Sequence, residues 1–192
     1  MELHKFGFKF FAADADKVDL LALIPVFHRW IQGNALGDIL IDVGDYSHVP
    51  AGPGIILVAH EGNYGFDENG NRRGVQYYSK QPLQGDLPTR LATVARKTLQ
   101  AAQLLSQDAE LNGTVRVPGN ELQFFANDRL VAPNTDEAYA ALEPALTAFL
   151  DRLYAGVPYS VERERDPRER LGVTVRAQEP VALETLLERL AS

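Results

Sequence analysis

The sequence predicts an α+β fold: an antiparallel or mixed sheet with helices packed mainly on one face. Three observations predict it. Short segments of the 192-residue chain alternate apolar and polar residues at period two, as half-buried strands do. Longer segments repeat apolar residues at intervals of three and four, as amphipathic helices do. These helical segments alternate with pairs of strands joined by short turns, which favours antiparallel neighbours over a wholly parallel sheet.

Taken in order, the first element is a strand. In HKFGFKF (residues 4–10), Phe6, Phe8 and Phe10 share one face, with His4 at its outer end, and Lys5, Gly7 and Lys9 share the other. Asp16 is placed to cap the next element, a helix. Leu20, Leu21, Ile24, Phe27 and Ile31 have helical spacing; Pro25 kinks this helix or marks its break, and Gly33 and Asn34 end it. DILIDVGDY (38–46) and GPGIILVAHEGNYGF (52–66) each read as one strand, joined by a proline–glycine connection. DENGN (67–71) is a turn, and GVQYYSK (74–80) is the strand returning from it.

Asp86 caps a long helix with Pro88 in its first turn and Leu91, Ala95, Leu99, Ala102 and Leu105 on its apolar face. TVRV (114–117) and ELQFFA (121–126) are expected to pair as a hairpin about Pro118 and Gly119, residues suited to the centre of a type II turn. Asn134, with Glu137 three residues later, starts a helix that buries Tyr139, Leu142, Leu146, Phe149, Leu150 and Leu153. YSVERERD (159–166) and LGVTVRA (171–177) form a last hairpin. Glu179 and Pro180 open a short helix burying Val181, Leu183, Leu186, Leu187 and Leu190.

The resulting order is βαβββαβ followed by βαββα. The first block follows a split-βαβ (ferredoxin-like) order with one added strand. The second repeats most of that order without residue-level repetition. The expectation is therefore one compact domain, residues 1–192, with two topologically similar segments, 1–118 and 119–192.

Composition narrows the chemistry. At 45% hydrophobic and 23% charged residues, the chain has enough apolar surface for a core without staples. It has no cysteine, which excludes disulfides, thiolate nucleophiles and cysteine-held metals, and suits the cytoplasm. A formal charge of −7 argues against nucleic acid, whose backbone needs a basic footprint. The longest apolar run, LLALIPVF (20–27), is too short for a membrane helix and contains proline. The N-terminal segment carries lysines beside apolar residues, but its alternation reads as a strand, not as an export signal.

Four clusters invite functional readings. The first is Asp42, Asp45, Tyr46, His48, His60, Glu61 and Tyr64, because imidazole and carboxylate groups bind divalent metals or exchange protons near neutral pH. If the two strands pair as a hairpin about VPAGPG, Asp45 or His48 is expected near His60. Adjacent residues in a strand point to opposite faces, so His60 and Glu61 serve one site only if a bulge at Gly62 intervenes. The second, Asp67, Asn69 and Asn71, opens like a calcium loop. Arg72 and Tyr78 then stand where glycine and glutamate are required, so a turn explains it better. The third, Asn127, Asp128 and Arg129, follows a strand end, where polar groups often line sites. The fourth, ERERDPRER (162–170), mixes charges of both signs and suits a solvated hairpin tip or a protected edge.

Two functions are compatible with these residues. One is a binding or assembly module without a catalytic signature, pairing as a homodimer through its sheet or an edge strand, with any small-molecule ligand unspecified. The other is a metal-binding or acid/base enzyme centred on His60, with Asp45, His48, Glu61 or Tyr64 assisting and a divalent metal as cofactor. Phosphate-binding glycine loops, nucleophile elbows and zinc-helix motifs are absent from the sequence, which puts the first reading ahead.

Overall fold

The phenylalanine strand, β1 (Phe6–Phe11), lies inside the sheet, and all six of its residues are buried. A computed structural model describes residues 1–191. Among them the other strands are β2 (Leu40–Tyr46), β3 (Gly54–Ala59), β4 (Gly62–Asp67), β5 (Gly74–Ser79), β6 (Glu121–Ala126), β7 (Tyr159–Arg163) and β8 (Gly172–Ala177). They form one open sheet in the order β2-β3-β4-β5-β1-β6-β8-β7, and every pairing is antiparallel. The helices are α1 (Leu23–Gly33), α2 (Leu87–Gln107), α3 (Asp136–Leu153) and α4 (Leu183–Ala191). This is an α+β architecture, but eight strands make the sheet larger than the split-βαβ (ferredoxin-like) fold. No helix among the described residues is long and apolar enough to cross a membrane.

The helices cover one side. Phe6, Phe8, Phe10, Tyr64, Phe66, Val75, Tyr77, Leu122 and Phe124 join the buried faces of all four helices in a single apolar core. Phe8 anchors it, with ring centroids 5.6 Å from Phe124 and 5.2 Å from Phe149 of α3, in the offset and tilted geometries aromatic pairs prefer. Phe11 and Phe125 are buried too but stand outside that core, because strand alternation turns them to the opposite, helix-free side.

Four local expectations need correction. β1 is not half-buried: it is an interior strand flanked by β5 and β6, and its second face is covered as well. Residues 52–66 are not one strand. The chain reverses at His60 and Glu61 to give the β3–β4 hairpin. No glycine-type turn dipeptide marks this reversal. Its backbone groups are met by other segments: His60 N donates to Ile39 O at 2.9 Å, and Glu61 O accepts from Lys80 N at 2.9 Å. Residues 114–117 form no hairpin with β6. They make one bridge, Arg116 to Ala13, while buried Val115 and Val117 pack into the core. Finally, α3 is capped by the Thr135 side chain, not by Asn134, whose side-chain carbonyl instead accepts from the Arg163 guanidinium.

A further cap is displaced: Asp16 lies inside a 3-10 turn, Ala15–Lys17, and the Asp19 carboxylate instead accepts from Leu21 N to cap the turn before α1. Several other boundaries fall where the residue pattern puts them. Pro25 sits just inside α1, after a separate short 3-10 turn at Leu20–Ala22, and left-handed Asn34 closes the helix. The Asp86 carboxylate accepts from Thr89 N at 3.0 Å and caps α2. Hydrogen bonds from Thr89 hold the Asp86 carboxyl below the usual carboxylate range. Because its folded value lies below its unfolded one, the cap is fully stabilising above the ordinary carboxylate range and is lost as pH falls through the depressed value. The melting temperature of Asp86→Ala should therefore lie below wild type at pH 7. The gap should narrow in acid beyond that range, as followed by circular dichroism. A gap unchanged by acid would show that the carboxylate charge contributes nothing.

Candidate functional site

The helix-free side has its own register. One row of outward positions crosses the sheet as Ile56, Gly65, Gln76, Lys9, Gln123 and Thr174. The next runs Val58, Asn63, Tyr78, Gly7, Phe125 and Gly172. The centre of this side is therefore polar and aromatic, and it is studded with glycine. Gly7 is needed there: a Cβ on it would stand 2.4 Å from the Phe125 ring and 2.7 Å from Tyr78 Cβ. The two rings close over the bare strand at a centroid distance of 6.5 Å.

At the middle of the first row is a buried ion pair. Lys9 Nζ donates to Asp67 Oδ2 at 2.5 Å, and both residues are 1% exposed. A second Lys9 proton goes to Asn69 O at 3.2 Å, and Asp67 accepts from both the backbone and the side-chain amide of Asn69. Desolvation lowers the Lys9 pKa, and the Asp67 charge opposes that shift without cancelling it. The pair ties the β4–β5 connection down onto β1.

Beside it opens a pocket of about 240 Å³. Gln76, Tyr78 and Phe125 line it from the strands, and Pro53, Asn69, Asn127 and Arg170 from the connections. Arg170 lies over the Phe125 ring, 4.6 Å from its centroid, and Nη1 donates to Asn127 Oδ1 at 2.6 Å. Burial lowers its pKa, but a guanidinium stays charged at any physiological pH.

The residues singled out by sequence are dispersed. His48 and His60 are exposed, and they lie beyond opposite ends of β3, whose five residue steps span about 17 Å. Asp45 pairs with Ile55 at the His48 end, and its carboxylate accepts from the amide and hydroxyl of Ser47, which lower its pKa. Glu61 accepts from Ile39 N at 3.1 Å. Tyr64 faces the helices. Its hydroxyl donates to Asp38 Oδ2 at 2.7 Å, Asp38 also pairs with Lys97 of α2, and burial drives the Tyr64 pKa far upward, so it is a fixed donor. Asp42 and Tyr46 are exposed on β2. Among the described residues no three His, Asp or Glu side chains are grouped to hold a metal. In the third cluster, Asp128 receives the amides of Leu130 and Val131, and Arg129 donates to Arg168 O. Of the first and third clusters only Asn127 reaches the pocket; Asn69 of the second and Arg170 of the fourth also line it.

Lys9, Gln76 and Arg170 carry no sequence motif. The available signal was a face: β1, β4 and β5 each carry glycine and polar residues on the side opposite Phe6, Phe8, Tyr64, Phe66 and Tyr77.

Removing one member of a buried ion pair leaves the other uncompensated, at about 3–5 kcal/mol. Lys9→Met should destabilise by that order in urea unfolding. The double variant Lys9→Met/Asp67→Asn, whose single amide oxygen can still accept one of the two Asn69 hydrogen bonds, should recover part of the loss. No recovery would mean that the pair does more than neutralise itself. Comparison with protein-family models and with curated proteins found no match for this chain.

Proposed function

We propose that the protein is a ligand-binding module whose helix-free sheet face receives the ligand. The observation that carries this reading is Gln76. It is 6% exposed, its side chain forms no hydrogen bond to any described residue, and it borders the pocket beside Lys9 and Arg170. Its amide atoms stay accessible to solvent in the pocket with their hydrogen-bonding capacity uncommitted, where a ligand can use it. The pocket's polar groups are held by strands and by the Lys9–Asp67 tie, which gives a ligand a preformed surface. Acid/base or metal chemistry at His60 has less support, since the imidazole is exposed and its proposed helpers are engaged elsewhere.

Because the Gln76 side chain holds nothing in place, Gln76→Leu should leave the melting temperature unchanged or raise it. A fall equivalent to about 1–3 kcal/mol, the size of a lost buried hydrogen bond, would make Gln76 structural and sink the reading.

A second surface supports self-association. β2 is an edge strand, and Ile39 just before it (63% exposed), Ile41 (55%) and Tyr46 expose large apolar groups among Asp42 and Asp45. Unpaired strand edges of this kind template pairing with a second chain. We infer a homodimer through antiparallel β2–β2 contact. Light scattering at high concentration should give twice the chain mass, and Ile41→Lys should return the monomer. A monomeric wild type would overturn it.

A further inference from the structure

We infer that the pocket on the helix-free face takes a small planar carboxylate, held by the free guanidinium edge of Arg170 and by the Gln76 amide. This rests on the reading of that face as a ligand site.

The cations around the pocket are paired except for Arg170 and its neighbour Arg129. Lys9 is answered by Asp67, Arg72 by Glu121 at 2.5 Å, and Arg73 by Glu68 at 2.6 Å. Arg170 is in no ion pair with any described residue, although the chain as a whole carries −7. Its one side-chain hydrogen-bond partner is the neutral carbonyl of Asn127, which leaves guanidinium N–H groups unused. The guanidinium lies over the Phe125 ring, a cation–π contact that holds it at the pocket. A planar fork held in this way matches a carboxylate in two parallel hydrogen bonds.

The other groups describe the rest of the ligand. Gln76 offers both a donor and an acceptor, so a second hydrogen-bonding group beside the carboxylate is accommodated. Tyr78 and Phe125 supply flat walls, which suit an unsaturated or aromatic body. At about 240 Å³ the pocket falls below the usual range for drug-sized ligands, so the occupant is small. Desolvation already weighs against the Arg170 charge, and an arriving anion would relieve it.

The test is calorimetric and NMR titration of the full chain at millimolar ligand. The probes are acetate, benzoate, 4-hydroxybenzoate, the neutral 4-hydroxybenzamide and inorganic phosphate. At least one of the carboxylates, 4-hydroxybenzoate above all, should bind and shift the amide signals of residues 76, 78, 125 and 127. The benzamide should not. Arg170→Gln should weaken carboxylate binding about tenfold or more, the effect of losing a charge-assisted bond. Arg170→Lys should fall between, keeping the charge without the fork. Circular dichroism should show both variants folded; if Arg170→Gln fails to fold, Arg170→Lys and the contrast between acid and amide probes decide. Equal binding of acid and amide, equal binding by Arg170→Gln, or binding of phosphate alone would overturn the carboxylate assignment. If no anion binds while Gln76→Leu keeps its stability, this inference alone fails. If Gln76→Leu also loses stability, the ligand-site reading fails with it.

Discussion

The salt link between Lys9 and Asp67 is what a sheet with helices on one side requires of its other side. An interior strand cannot leave its second face wet and still pack as core. Here the covering material is a connection, residues 68–73, bound to the strand by charge. Taking two ions out of water is offset only when their remaining hydrogen-bonding capacity is also met. Asn69 meets it from both directions, accepting from the ammonium and donating to the carboxylate. The cover is therefore specific: the link fixes where the connection lies, and with it one wall of the neighbouring pocket.

That pocket combines rigid and uncommitted parts. Two aromatic side chains wall it, and Gly7 beneath them lets the rings close over the strand. Gln76 and Arg170, the groups with hydrogen-bonding capacity left over, contribute least to holding the fold. The contrast with the helix side is direct. There, Asp38 joins Tyr64 and Lys97 in a self-satisfied cluster, and the polar groups serve packing.

Much of the architecture is legible because it depends on period and punctuation. The apolar faces of α2 and α3, the Asp86 cap and the strand identity of Phe6–Phe11 all follow from local spacing. Local spacing misleads where long-range partners take over. The reversal at His60–Glu61 is stabilised by Ile39 and Lys80, which no local pattern announces. Residues 114–117 have the alternation of a strand but are taken up by core packing. The candidate site is nearly invisible for the same reason. By sequence, Lys9 resembles a solvent-facing residue of a half-buried strand, and Arg170 is one charge among many at a hairpin tip. Only the register that sets β1 between β5 and β6 brings them to a common surface, and Asn127 stands out merely because it ends a strand.

The central place of β1 also bears on biogenesis. Residues 6–11 are synthesised well before one of their neighbours, β6 at residues 121–126. Until residue 126 has been synthesised, one margin of a phenylalanine-rich segment has no lawful mate, and unpaired margins of that kind recruit strangers. The nascent polypeptide is thus exposed to misassembly until residue 126 has been translated, and slow elongation across residues 80–126 would lengthen that hazard.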